Sequence, residues 1–167
     1  AVEARDVVEK LYMPYFKMMA GWYESLAVGR TAGQVYEAVK YFVEDPQYGV
    51  VLNPGHLIHL DEWPHSPFAP GSPVELRSGM AIQCDIISAP GAPYYGVHVE
   101  DGLVLADASL RSELADKYPA TAERMDQRRR LFTETLGISL SDDVLLMSDI
   151  QGVLSPYMLR PQIALGL

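Results

Sequence analysis

The chain has 167 residues, 49% hydrophobic and 21% charged, which suits one globular domain and excludes wholesale disorder and collagen-like repeats. Thirteen Lys and Arg face twenty-two Asp and Glu, a formal net charge of −9. Nucleic acid and anionic membrane are thereby disfavoured as main partners, because neutralising phosphate needs a positive surface.

Residues 2–28 carry helical spacing: Val7, Leu11, Tyr15, Met18, Trp22 and Leu26 recur every three or four positions and share one face, expected to be core. Pro14 is expected to kink this helix or break it in two. Gly29-Arg30-Thr31 reads as a stop and restart. Thr31 is a candidate N-cap for a second helix to about residue 44, ended by Asp45-Pro46, and the pair would form a helical hairpin. Residues 48–79 change character. Five prolines break this stretch, and His56, His59 and His65 sit here beside Asp61, Glu62 and Trp63. Long irregular segments of this kind often carry function.

The clearest β signal follows. Over residues 80–87, Met80, Ile82, Cys84 and Ile86 point one way, and Ala81, Gln83, Asp85 and Ile87 the other. After a Pro- and Gly-rich connection, residues 96–105 place Val97, Val99, Leu103 and Leu105 on one face and His98 and Glu100 on the opposite one. The two runs are expected to pair as an antiparallel hairpin. Residues 109–117 and about 120–136 are helical in pattern, with Gly137 as C-cap. Arg128-Arg129-Arg130 within them reads as a solvated face. The tail from 141 to 167 holds strand-like and Pro-broken pieces.

The single Cys84 excludes an internal disulfide and a Cys-based zinc cage. No run of about 18 apolar residues is present, and the N-terminus lacks the pattern of a signal peptide, so a cytoplasmic location is the expectation. The chain opens on Ala1-Val2-Glu3 inside a helical pattern, which suggests a processed end or an excised fragment.

A symmetric hairpin, with its turn centred between Ala92 and Pro93, sets Asp85 opposite Glu100 and Ile87 opposite His98. Carboxylates directly opposite on adjacent strands repel. They are tolerated if a cation lies between them, if they share a proton, or if solvent reaches them. Carboxylate and imidazole suit Mn, Zn, Fe or Co. His56 and His59 are three apart without an HExxH pattern, and Pro54-Gly55 puts His56 on extended or turned chain.

Three motifs occur in order: Pro54-Gly55-His56-Leu57-Ile58, then Leu76-Arg77-Ser78-Gly79-Met80-Ala81-Ile82-Gln83-Cys84-Asp85, then Gly96-Val97-His98-Val99-Glu100-Asp101. Together they resemble the C-terminal half of the creatinase, methionine aminopeptidase and prolidase family, the "pita-bread" metallopeptidases. Thr31-Ala32-Gly33 resembles the helix start that precedes the Gly-His element. The likeness covers residues 30–106, and residues 2–29 fit the preceding family helix. It implies an α+β fold: a helical hairpin with a curved antiparallel sheet over residues 1–106, and a helical or irregular C-terminal extension over 107–167. It also implies that His56, Asp85 and Glu100 are metal ligands, that Asp85 doubles as general base, and that His59 or His65 serves as a catalytic histidine. The implied cofactor is a divalent ion (Mn, Zn or Co), and the implied substrate a peptide or a small amidine.

The departures are as informative. The family's two upstream aspartates have no counterpart, since Asp6 and Asp45 lie in other contexts. Asp85 stands for a glutamate, Trp63 occupies the place of a shuttle histidine, and His98 that of an arginine. With three of five ligands, the isolated chain is expected to be inactive as a peptidase, with possibilities running from a bound metal to none. A lone half would also expose sheet edge, so a homodimer, or association with a missing N-terminal half, is expected. Two other readings stand beside this one: a non-catalytic binding or dimerisation module that keeps the fold, and a structural domain unrelated to peptidases.

Overall fold

The computed structural model describes residues 4–58, 60 and 66–167. It is a mixed structure of helices and antiparallel sheet. The first helix begins as α1 (Ala4–Val7), passes through a π-helical turn (Val8–Tyr12) and continues as α2 (Met13–Glu24). Pro14 therefore does not break the run. It sits in the first turn of α2, and the widened turn ahead of it accommodates a residue with no N–H to give. Leu11, Tyr15, Met18, Trp22 and Leu26 of the sequence stripe are fully buried.

The second helix, α3 (Ala32–Val43), starts at Thr31 with a complete capping box. The Thr31 hydroxyl accepts from the Gln34 N–H, and the Gln34 side chain accepts from the Thr31 N–H. Gly33 is required there, because a Cβ would stand 2.7 Å from the Ser72 carbonyl oxygen. The loop from Ser66 to Met80 is anchored in the core by two side chains. Phe68 and Leu76 are fully buried, and Phe68 lies edge-on to Trp22 with ring centroids 5.5 Å apart.

The main sheet has the order β1-β2-β5-β6, with β1 at His56–Leu57, β2 at Ala81–Asp85, β5 at Glu100–Leu105 and β6 at Val144–Leu146, and its pairs are antiparallel. A separate two-stranded ribbon is formed by β3 (Ser88–Gly91) and β4 (Tyr95–Val97). Ile82, Cys84, Leu103, Leu105, Val144 and Leu146 face inward and join the helices in one core. The other face carries His56, Gln83, Asp85, Glu100 and Gly102, as strand alternation requires.

The expected register is present, but the two long strands are not continuous. Asp85 pairs with Glu100 and Ser88 with Val97; between these pairs the ladder opens. The cause is Tyr15. Its buried hydroxyl donates to the Ile86 carbonyl at 2.8 Å and accepts from the Val99 N–H at 3.0 Å. One side chain from α2 thus satisfies the two backbone groups that would have bonded each other. Burial pushes the Tyr15 phenol well above its ordinary range, so the hydroxyl keeps its proton for this task.

The remaining helices are α4 (Ala108–Lys117) and α5 (Pro119–Arg130), the latter prolonged by a π-helical turn (Leu131–Thr135) and ended at Gly137 with φ of +79°. They are tied to the sheet through Asp143, which accepts from Arg111 at 2.8 Å and from the Val28 N–H at 3.1 Å. The segment beyond residue 106 thus contributes a strand to the main sheet as well as helices. Arg128 bonds Asp149, Arg129 bonds the carbonyls of Leu140 and Ser141, and Arg130 pairs with Asp126. All three guanidinium groups are engaged within the chain. Among the described residues no helix is long and apolar enough to cross a membrane.

Candidate functional site

The outer face of the sheet gathers its polar side chains where β1, β2 and β5 meet. His56 arrives there through a constrained approach. The Trp22 indole N–H donates to the Pro54 carbonyl at 2.9 Å, and the Gly55 N–H donates to the Asp85 carbonyl at 2.9 Å. Gly55 has φ of +91°, and a Cβ on it would meet the Gln83 carbonyl oxygen at 2.7 Å and the Trp22 ring at 2.9 Å. Only glycine passes between them. The Ser66 hydroxyl donates to the Gly55 carbonyl at 2.6 Å and closes the approach from the other side.

The His56 ring is oriented by its own strand, with Nδ1 lying 3.0 Å from the Leu57 carbonyl oxygen. A carbonyl can only accept, so Nδ1 carries a hydrogen and Nε2 is the nitrogen turned toward the carboxylates. Nε2 faces Asp85 Oδ2 at 3.4 Å, with the two side chains only 11% and 16% exposed. A positive charge, whether a proton on Nε2 or a metal ion, is favoured between this nitrogen and the carboxylates. Glu100 completes the group: one donor atom from each of His56, Asp85 and Glu100 lies within 4.8 Å of the others. Two carboxylate charges at that separation repel by roughly 1 kcal/mol in bulk water and by roughly 3 kcal/mol at an effective dielectric of about 20. A single hydrogen bond offsets about 1 kcal/mol, so a bound cation is the stronger remedy. A histidine that donates its second N–H to a backbone carbonyl is also the usual orientation of a metal-binding imidazole.

Two further side chains touch the carboxylates. His98 Nε2 stands 2.7 Å from Asp85 Oδ1 and 3.8 Å from Glu100 Oε2, so its hydrogen bond goes to Asp85. The Gln83 amide donates to Glu100 Oε1 at 2.7 Å. Neither contact is evident from residue type alone. The signal was positional: Gln83 lies two before Asp85 and His98 two before Glu100, hence on the same face of each strand. His56, Asp85, His98 and Glu100 border an open cleft of about 460 Å³ whose other walls include Val51, Leu52, Asn53 and Ile87.

Of the ligands expected from sequence, His56, Asp85 and Glu100 come together. His59, His65 and Trp63 lie outside the described residues. The aspartates set aside from the sequence are indeed elsewhere. Asp6 accepts from Tyr94 and pairs with Lys10, and Asp45 caps the short turn at Gln47. Cys84 is buried on the inner face, where burial pushes its thiol well up, so it offers no thiolate.

No protein-family model matches the chain, and no curated protein does. Among solved structures, the chain is similar to a dipeptidase from Pyrococcus horikoshii OT3, with 23% identity and a TM-score of 0.49 over 62% of this chain and 29% of that one. It is likewise similar to the dipeptidase PepE from Mycobacterium ulcerans, with 24% identity and a TM-score of 0.49 over 60% of this chain and 27% of that one. The chain thus spans less than a third of the length of either dipeptidase. What the site can do is therefore decided by its own side chains.

Proposed function

We propose that this chain carries part of a divalent-metal hydrolase centre of the pita-bread type, acting on a peptide or a small amidine. The observation that carries the reading is His56 Nε2 turned onto Asp85 Oδ2 at 3.4 Å, with a donor atom of Glu100 within 4.8 Å. His56, Asp85 and Glu100 are the residues that would hold the ion, and their one-nitrogen, two-oxygen set suits Mn, Zn or Co. A divalent ion bound there would polarise the carbonyl or amidine group whose carbon is attacked, ahead of C–N cleavage, and would lower the pKa of a water. The chain's own residues do the rest. Asp85 takes the proton of the attacking water, and His98 holds its carboxylate in place. The cleft of about 460 Å³ fits a small substrate, lying within the range of roughly 300–1,000 Å³ usual for ligand sites.

Three donors hold one ion weakly, and the resemblance implies two more aspartates for a two-ion clamp. The isolated chain is accordingly proposed to bind metal without turning over peptides. The test is metal content and Mn or Zn titration of the purified chain beside His56→Ala, followed by a Xaa-Pro peptide assay. Stoichiometric binding lost in the variant supports the reading. No binding at millimolar metal refutes it and favours the non-catalytic binding module. Robust metal-dependent turnover by the isolated chain would refute the inactivity.

A further inference from the structure

Each carboxylate of the site has two oxygens, and in each one oxygen already accepts a hydrogen bond. Asp85 Oδ1 accepts from His98 Nε2 at 2.7 Å, while Asp85 Oδ2 faces His56. Glu100 Oε1 accepts from the Gln83 amide at 2.7 Å, which leaves Oε2. A hydrogen bond to one oxygen fixes the plane of a carboxylate and so aims its other oxygen, while each oxygen keeps a second lone pair. From this we propose that His98 and Gln83 are positioning residues that aim Asp85 Oδ2 and Glu100 Oε2 at one divalent ion shared with His56. The proposal rests on the metal-centre reading above.

The placement of the clamps supports this. Gln83 pairs with His56 on one side and Gly102 on the other, so its side chain rises from the middle of the sheet between β1 and β5. Gly102 has no side chain to compete for that space. His98 lies in the gap of the ladder that Tyr15 holds open, two residues beyond the reach of the β2–β5 pairing. Released from the strand geometry, its ring turns back along the sheet to Asp85. Both clamps are donors toward carboxylate, and charge-assisted bonds of this kind are about twice as strong as neutral ones. Such partners of metal ligands typically contribute 10–100-fold in affinity.

His98 is also close enough to raise a rival possibility, namely that it ligates the ion itself. The experiment separates the two roles. The full chain is titrated with Co²⁺ alone and, in parallel, with Mn²⁺ alone, as wild type and as His98→Leu, His98→Gln and Gln83→Leu. Proton NMR of the Co²⁺ form counts the exchangeable, strongly shifted imidazole N–H signals, and EPR of the Mn²⁺ form reports coupling between ions. The expected result is one ion per chain, an uncoupled Mn²⁺ spectrum and one imidazole N–H, that of His56 Nδ1. Affinity falls about tenfold or more in His98→Leu and in Gln83→Leu, and His98→Gln, which keeps a donor, restores most of the loss. A second imidazole signal that disappears in His98→Leu would make His98 a ligand and overturn the proposal. So would two coupled ions per chain, although the hydrolase reading would then still stand. Affinities within about twofold of wild type in both leucine variants would deny the clamps their role. Failure of the wild type to bind either ion overturns this proposal together with the function it rests on.

Discussion

Replacing Tyr15 by Phe tests whether one hydroxyl keeps the central ladder open. The ring would stay, because it packs edge-on against Phe42 at 5.9 Å and is fully buried. With the ring in place the strands cannot close on each other. The Ile86 carbonyl and the Val99 N–H would each lose their partner. An unpaired buried polar group costs about 1–3 kcal/mol, and Val99 is only half-buried, so the two together should cost about 2–3 kcal/mol. In a domain of this size each kcal/mol moves Tm by about 2–4 °C, so the midpoint should fall by about 4–12 °C. Urea and thermal unfolding measure this, and amide exchange at Val99 reports the released N–H directly. A loss below about 0.5 kcal/mol with unchanged exchange at Val99 would refute the reasoning, since the strands would then have found other partners.

Two further outcomes follow from the same geometry. Gly55→Ala should cost about 2–4 kcal/mol and weaken metal binding together with stability, because φ of +91° disfavours a Cβ and that Cβ would lie 2.7 Å from the Gln83 carbonyl oxygen; near-wild-type unfolding and affinity would show that the approach to His56 is not constrained. Acid sensitivity should come partly from Asp107, whose carboxyl is held below its ordinary 3.8 chiefly by the Leu110 N–H at the start of α4. A depressed folded value means that its contribution is complete above 3.8 and disappears as pH falls through the lower folded value. Asp107→Asn should flatten that part of a Tm-against-pH curve, and a curve of unchanged shape would count against it.

Much of the fold can be read from local pattern. Thr31 followed by Gln34 predicts the capped start of α3, and Gly137 the end of the last helical run. Strict alternation from Ile82 to Asp85 and from Glu100 to Leu105 assigns the inner and outer faces, and a symmetric turn centred between Ala92 and Pro93 sets Asp85 opposite Glu100. Pro14 does not break the run in two, because a π-helical widening just ahead of it absorbs the missing N–H, which local spacing does not reveal. The long strands were misread because alternation says nothing of a side chain entering the ladder from elsewhere.

The sequence by itself therefore determined the composition class, the helix caps and the faces of the strands, since each depends on residues within a few positions of one another; the candidate ligands were implied by the order of three motifs that resembles a known family. Only tertiary structure decided how those ligands are presented. Tyr15 reaches Val99 across 84 positions, and Trp22 reaches Pro54 across 32. These contacts open the ladder beside His98 and fix the approach to His56. No period or spacing encodes them, because they arise only when α2 packs against the sheet. The same packing brings His98 onto Asp85 and Gln83 onto Glu100, and so orients the two carboxylates toward His56.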